Sequence, residues 1–472
     1  MGGTRRWPFG STARSRALVL QALGVVKVAT AEQLRQLVLA GTADAQTVRN
    51  ACKDLRGEGL VESVGSSSRP GKSGQPVTQQ LWNLTTAGLA AAAAELDRPV
   101  REMGGTAREA AKAGAAHALR VTDTIDAFCQ TPPLPTKPVA RRSRTTTGPA
   151  APTASAPEAS EASGAVVRVR PQGLGLLRGW ETEVALPVVG TFATPGKGSL
   201  RSDAVLRAPE DGMPVLFVEV DNHTEPPVTV AKKVERYRRF FQRTVKDYRG
   251  SDVALWSTLW DDSGRGGYPP VALVFTKAVG PRAMENRMRE VGRLAHPHWH
   301  GQWQDFSSGE EKKDGYRNYT GTIPLLATTL PLLAAKGPHG PVWWRYGHDT
   351  WQTLNHALDN PDDIRAYRAR DGERRAAREA RDAEWERQRQ EQLAELERQV
   401  IEAAARVPDP VCGQCQGPLS GDPYSRDPRE DWEEAEVPPA DGQHCPHCRV
   451  ELARRPKSRI GRMMRRVTDA PG

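Results

Sequence analysis

The chain has 472 residues, more than a single hydrophobic core organises, so two to four domains are expected. Its 66 Lys and Arg against 57 Asp and Glu give a formal charge of +9, which suits a polyanionic partner. No apolar run approaches the ~18 residues that cross a bilayer, and the basic start MGGTRRWPFGSTARSR lacks the apolar core of a signal peptide. A cytoplasmic protein without a membrane partner is therefore expected. A hydrophobic fraction of 38% with 43 Gly and 37 Pro predicts that part of the chain is linker. Six cysteines, four of them in two CxxC pairs, point to a reducing compartment and a metal site rather than a disulfide framework.

Residues 13–95 read as one small domain. Ala17, Leu18, Leu20 and Leu23 give a first helix its apolar face. A second opens at Thr30, which has capping-box spacing to Gln33 and is followed by Leu34, Leu37 and Val38. A third starts after Asp44 and runs through TVRNACKDLRGEG to Gly59. Leu60-Val61-Glu62 and Gln80–Leu84 then read as strands around the turn-rich GSSSRPGKSGQP, and Thr85 or Thr86 opens a further helix. Three helices followed by a hairpin is the winged helix-turn-helix plan, which lays its third helix in the major groove. Thr47, Arg49, Asn50 and Lys53 are the candidate base and phosphate contacts, with Arg69 and Lys72 at the wing tip. A winged helix used for protein contacts, its basic residues merely solvated, is the competing reading.

A connecting helix is predicted over 104–130, where Thr106 and Glu109 have capping-box spacing. The Pro-, Ala-, Ser- and Thr-rich segment 131–165 reads as a flexible tether. Residues 166–350 have the pattern of an α/β core. Its strands carry acids: Trp180–Val184 with Glu183, Arg201–Leu206 with Asp203, and Val215–Asp221 with Glu219 and Asp221. A helix with Val230, Val234, Tyr237 and Phe241 on one face comes next, with Lys233 beside it. Val271–Phe275 reads as a further buried strand. Acids among apolar strand neighbours are costly unless paired or metal-bound, and Asp203, Glu219 and Asp221 would make an oxygen-rich site for Mg2+ or Mn2+. The order looks like the PD-(D/E)xK restriction-endonuclease core, whose carboxylates hold a metal that activates water.

The ordered set of winged helix, Gly114-Ala115-Ala116-His117, Trp180-Glu181-Thr182-Glu183, Ser202–Leu206, Phe217–Glu225, Lys233 and Tyr237 resembles the replication-relaxation family of bacterial plasmids and conjugative elements. The likeness covers roughly residues 13 to 280 and implies a nucleoprotein role in plasmid replication, DNA relaxation or mobilisation. One departure stands out. An active PD-(D/E)xK site carries Lys two residues after the strand glutamate; Asp221 stands there instead, with Lys233 the best substitute. Either Lys233 reaches in, or the domain has become a docking platform. His117 reads as a helix-face histidine packed on the sheet, and His223 either hydrogen-bonds a loop or serves a site.

In HPHWH, His296, His298 and His300 would share one face on a strand and make a metal cluster there, although a packed aromatic loop explains the run as well. Residues 362–406, charged and free of Pro, predict a long solvated helix with a short stripe at Leu393, Leu396, Val400 and Ala403. Cys412-Gly-Gln-Cys415 and Cys445-Pro-His-Cys448 form two knuckles over 410–450, the donor set of a structural Zn2+ ribbon, separated by an acidic loop. A basic tail, 451–472, closes the chain with Arg454, Arg455, Lys457, Arg459, Arg462, Arg465 and Arg466. The expected architecture is thus multi-domain α/β: a winged helix-turn-helix, a restriction-endonuclease-like core, a long charged helix and a zinc ribbon. The expected partners are double-stranded DNA of a plasmid or mobile-element origin, with replication or relaxase proteins. A metal-dependent endonuclease and a winged-helix transcription regulator are the alternatives.

Overall fold

The computed structural model describes residues 6–70, 75–106, 108–129, 171–187, 200–306, 314–406, 410–420 and 437–455. It divides into two units, Met1–Arg370 and Asp371–Gly472. The segment read as a tether, the hairpin tip with Lys72, the acidic loop between the cysteine pairs and the tail beyond Arg455 lie outside the described residues. No helix among the described residues is long and apolar enough to cross a membrane.

The first unit begins with α1 (Ala13–Val26), β1 (Val28–Thr30), α2 (Ala31–Val38) and α3 (Ala45–Gly57). Each helix start is written in its cap. Thr12 accepts from the Ser15 amide and Thr30 from the Gln33 amide, and in both cases the third residue returns the bond. Asp44 accepts from the Thr47 amide at 2.8 Å. Two strands come next, β2 (Val61–Pro70) and β3 (Pro76–Leu84), paired antiparallel from Val61↔Leu84 to Pro70↔Pro76. The three-residue β1, which carries no periodic signal of its own, pairs with β3 at Val28↔Asn83 and completes a sheet ordered β1-β3-β2. α4 (Thr86–Glu95) packs back on α1.

α5 (Arg108–Phe128) joins this group to the rest of the first unit. On one side Thr122 donates to the Val28 carbonyl at 3.0 Å and Gln33 donates to Asp123 at 2.7 Å. On the other, the Phe128 ring meets Trp180 at 5.1 Å and Trp343 at 5.6 Å. One apolar core therefore runs from Leu23, Leu34 and Trp82 through Ile125 and Phe128 to Leu206 and Leu216. The regions flanking residues 131–165 are packed together as one body, which the composition of that segment could not reveal.

β4 (Trp180–Ala185), β5 (Arg201–Ala208) and β6 (Met213–Asp221) form an antiparallel meander. α6 (Pro227–Phe241), the short hairpin β7 (Thr244–Lys246) and β8 (Asp252–Ala254), and β9 (Val271–Phe275) come next. β9 lies parallel to β6, and its five residues are buried, as expected of a strand covered on both faces. α7 (Pro281–Leu294), α8 (His296–Trp299), β10 (Gln302–Asp305), β11 (Gly315–Asn318), β12 (Leu325–Thr329), α9 (Leu330–Lys336), β13 (Trp343–Arg345), β14 (Trp351–Gln352) and α10 (Leu354–Leu358) complete the unit. The large sheet has the order β14-β13-β12-β9-β6-β5-β4. The HPHWH run is neither a strand nor a loop: Pro297 sits in the first turn of α8, where its missing N–H costs nothing. His296 stacks on His300 at 4.2 Å while His300 Nε2 lies 2.9 Å from Arg317, so the run packs as an aromatic and cationic cluster.

α11 spans Ile364–Arg406 and has no buried residue; Leu393, Leu396 and Val400 are each more than half exposed. In the second unit the two cysteine pairs close on one another, the second at the start of α12 (Pro446–Arg454).

Candidate functional site

The acids of the meander meet basic groups from three helices. β5 carries Asp203 and the neighbouring β6 carries Glu219, both nearly inaccessible. Lys233, two turns from the start of α6, lies 3.4 Å from Asp203 Oδ1 and is ion-paired with Glu219 Oε2. Tyr237, one turn further on, donates to Glu219 Oε1 at 2.5 Å. The Val220 amide donates to Asp203 Oδ2 at 2.8 Å, and His117 Nε2 from α5 sits 3.3 Å from Asp203 Oδ1. Asp221 takes a different partner, accepting from Arg287 of α7 through both oxygens at 2.5 and 2.9 Å. A cavity of about 230 Å³ opens beside these groups, lined by His117, Glu219, Asp221, Asn222, Thr224 and Lys233 among others.

Two buried carboxylates this close do not both keep their charge cheaply. Burial pushes Glu219 up, and the Asp203 charge adds to the effect against the opposing pull of Lys233 and Tyr237. Asp203 is the member that stays ionised: although burial works against it, His117, Lys233 and the Val220 amide hold it below the usual range. His117 is raised by its hydrogen bond to Asp203. Burial works against the Lys233 charge, but the two carboxylates outweigh it and raise that group too. Glu183, with its side chain 34% exposed and 3.7 Å from Arg201, is pushed up by burial and then by Asp203. Its backbone has φ of 54° inside β4, a conformation that L-residues adopt only when the surroundings enforce it.

The oxygens of this centre are already engaged. Both of Asp203 and both of Glu219 have a donor or cation, and both of Asp221 are held by Arg287. A hard cation would have to displace Lys233 and Arg287, so the donor set does not fit Mg2+ or Mn2+ as it stands. Lys233 does come to the carboxylates from the next helix, and the structure groups Asp203, Glu219 and Lys233 while keeping Asp221 with a separate arginine. The pairings of His117 and Arg287 lie 86 and 66 residues from their acids in sequence, and no local pattern signals them. His223, with φ of 57°, donates its backbone amide to Asp221 as part of the turn after β6.

A second polar surface is the outer face of α3. Val48, Ala51, Cys52 and Leu55 are buried, which turns Arg49 and Lys53 outward, with Thr47 and Asn50 half-buried beside them. Gln46, an uncharged residue with no signal of its own in the sequence, orders this face: it donates to Asn50 Oδ1 at 2.8 Å and accepts from Arg49 Nε at 3.0 Å. Inside, Asp54 anchors the N-terminal arm, accepting from the amides of Phe9 and Ser11 at 3.0 Å. Arg69 is described only in backbone, paired with Val77 near the end of the hairpin.

In the second unit Cys412, Cys415, Cys445 and Cys448 place their sulfurs within 4.8 Å of one another, Cys415 and Cys445 at 3.6 Å. A tetrahedral ion at the usual Zn–S length of ~2.3 Å needs sulfurs about 3.8 Å apart, so the four thiols are positioned to hold a metal such as Zn2+ and fit a zinc ribbon. Among the described residues this is the group of ligating side chains close enough to share an ion. Desolvation works against the thiolates of Cys412, Cys445 and Cys448; backbone amides nevertheless pull the Cys412 thiol down, while burial keeps Cys445 and Cys448 raised.

No curated protein and no solved structure matches the chain. The family model described as Replication-relaxation matches residues 20–253, from α1 to β8, a span that contains α3, His117, Asp203, Glu219 and Lys233. Over that span the chain belongs to the replication-relaxation family.

Proposed function

We propose that this chain is a DNA-binding component of plasmid or mobile-element replication, relaxation or mobilisation, in which the acidic centre serves structure rather than cleavage. In this reading residues 13–95 are a winged helix, with α3 in the major groove and β2–β3 along the backbone. The observation that carries it is the outer face of α3: Gln46, Arg49 and Lys53 are exposed in one row, with half-buried Asn50 hydrogen-bonded beside them, on a helix whose other face is buried. Arg and Asn on such a face read base edges bidentately, and Lys adds phosphate charge. Membership of the replication-relaxation family supports the plasmid setting. The sheet of residues 166–350 is read as a nuclease-like platform whose carboxylates are neutralised from within by Lys233, His117 and Arg287. That saturation favours docking over metal-dependent cleavage, the alternative in which Asp203, Glu219 and Lys233 act with Glu183 or Asp221 assisting. The cysteine module is read as holding structural Zn2+, with the basic residues after it adding sequence-independent grip on DNA.

The test is binding to duplex DNA over a range of salt concentrations. The intact chain should bind with an affinity that falls steeply as salt rises, and Arg49→Ala with Lys53→Ala should weaken it severalfold. Equal affinity of the intact and double-variant chains would remove α3 from the interface. For the metal, elemental analysis should find about one zinc per chain. Retention of that zinc by a Cys412→Ser, Cys448→Ser variant would contradict the assignment.

A further inference from the structure

Beyond the family-matched span lies a cavity of about 600 Å³ between α7 and the β13–β14 end of the sheet. This is within the range of sites that hold a small molecule or a single residue of a polymer. One wall is aromatic. Trp344 and Trp351 face each other across β13 and β14 with rings 5.8 Å apart, and Trp299 lies 5.9 Å from Tyr346. Two of these rings are held in place: the Trp299 indole donates to the Gly292 carbonyl and the Tyr346 hydroxyl to the Met288 carbonyl, both at 2.8 Å. Gly292 has to be glycine for this wall to exist, since a Cβ there would lie 2.2 Å from the Tyr346 ring. The other wall is the outer face of α7, where Glu285, Arg289 and Arg293 recur every fourth residue. Arg293 is held by both oxygens of Glu290 at 2.9 and 2.8 Å, which leaves Arg289 as the guanidinium of this wall without a carboxylate partner among the described residues. Asp349 closes the rim.

The chemistry of the two walls narrows the occupant. Aromatic slabs with an exposed indole, Trp351 at 38%, suit a flat ring that stacks. The rim mixes guanidinium donors with carboxylate acceptors. A bare phosphate would be repelled by Glu285 and Asp349, and a quaternary ammonium by Arg289. A nucleotide needs both kinds of group, since its base edge offers donors and acceptors while its phosphate seeks guanidinium. We propose that this cleft binds an unstacked base of single-stranded DNA, the base stacking on the exposed Trp351, which Trp344 backs edge to face, and its phosphate meeting Arg289. The proposal rests on DNA being the partner of the chain, and it gives the molecule a strand-sensing site separate from α3.

The test uses the full chain with a labelled oligothymidylate and, at the same salt, a labelled duplex. Trp351→Ala and Arg289→Glu should each weaken oligothymidylate binding at least about fivefold, as expected for loss of one stacked base. Trp351→Phe should restore most of the affinity, and duplex affinity should not change in any variant. A melting midpoint within a few degrees of the parent checks that each variant folds. Unchanged oligothymidylate affinity in Trp351→Ala would overturn the proposal, as would equal losses for single strand and duplex. Choline that quenches tryptophan fluorescence through Trp351, with no oligothymidylate bound, would assign the cleft to a cation and overturn it too. Failure of the α3 reading looks different: duplex binding is then absent from the parent chain, while Trp351-dependent single-strand binding persists.

Discussion

The outer face of α3 and the acidic centre on β5 and β6 are both rich in polar side chains, but one turns its groups toward water and the other uses them on each other. Arg49 and Lys53 are exposed, and Arg49 is held by Gln46 one turn away. Asp203 and Glu219 have every oxygen engaged by Lys233, His117, Tyr237 or the backbone. A charged motif is therefore not by itself a ligand site. What decides is whether its lone pairs and protons are already taken.

The contrast between the two regions breaks most visibly at Lys233. Lys233→Met would leave two carboxylates in a buried site without their shared cation, and stability should fall by about 3–5 kcal/mol. Urea denaturation measures this, and a loss below ~1 kcal/mol would mean that the centre opens to water and is not closed as described. Arg49→Ala with Asn50→Ala is the opposite case. Affinity for a specific duplex should fall by about 1–3 kcal/mol per lost base contact, while stability stays within ~0.5 kcal/mol. A stability loss comparable with that of Lys233→Met would show that the α3 face is structural.

The smallest effect is a titration. The Asp203 hydrogen bond raises His117 above its ordinary 6.5, so this contact stabilises the fold fully below pH 6.5 and is lost as pH rises through the raised value. Asp203 is held below its ordinary 3.8, so its contribution is present above pH 3.8 and is lost as pH falls through the lowered value. The charged pair is complete between those limits. In NMR titrations His117 should protonate above 6.5, and Asp203→Asn should return it toward 6.5. A His117 titration that Asp203→Asn leaves unmoved would show that the two groups are not paired.

Local chemistry was legible and distant partnership was not. The Thr30–Gln33 box and the Asp44 cap are written in three or four adjacent residues, and both form as read. The long helix from Ile364 and the buried strand Val271–Phe275 follow from composition and apolar continuity in the same way. Choice of partner depends on which elements the tertiary fold brings together. Asp221 therefore reads like a companion of Glu219, two residues away, and is in fact held by Arg287. His117 reads like packing and reaches Asp203 because α5 lies over both the N-terminal sheet and the central one. β13 and β14, two or three residues each, are too short to carry a period, so the aromatic cleft they build had no sequence signature.

Whether this chain holds DNA without cutting it is tested most directly by incubating the purified protein with supercoiled plasmid in Mg2+ or Mn2+, beside an Asp203→Ala variant. Retarded plasmid that stays supercoiled is expected with both proteins. Nicked circles produced by the parent chain and lost with Asp203→Ala would contradict this and make the acidic centre a nuclease.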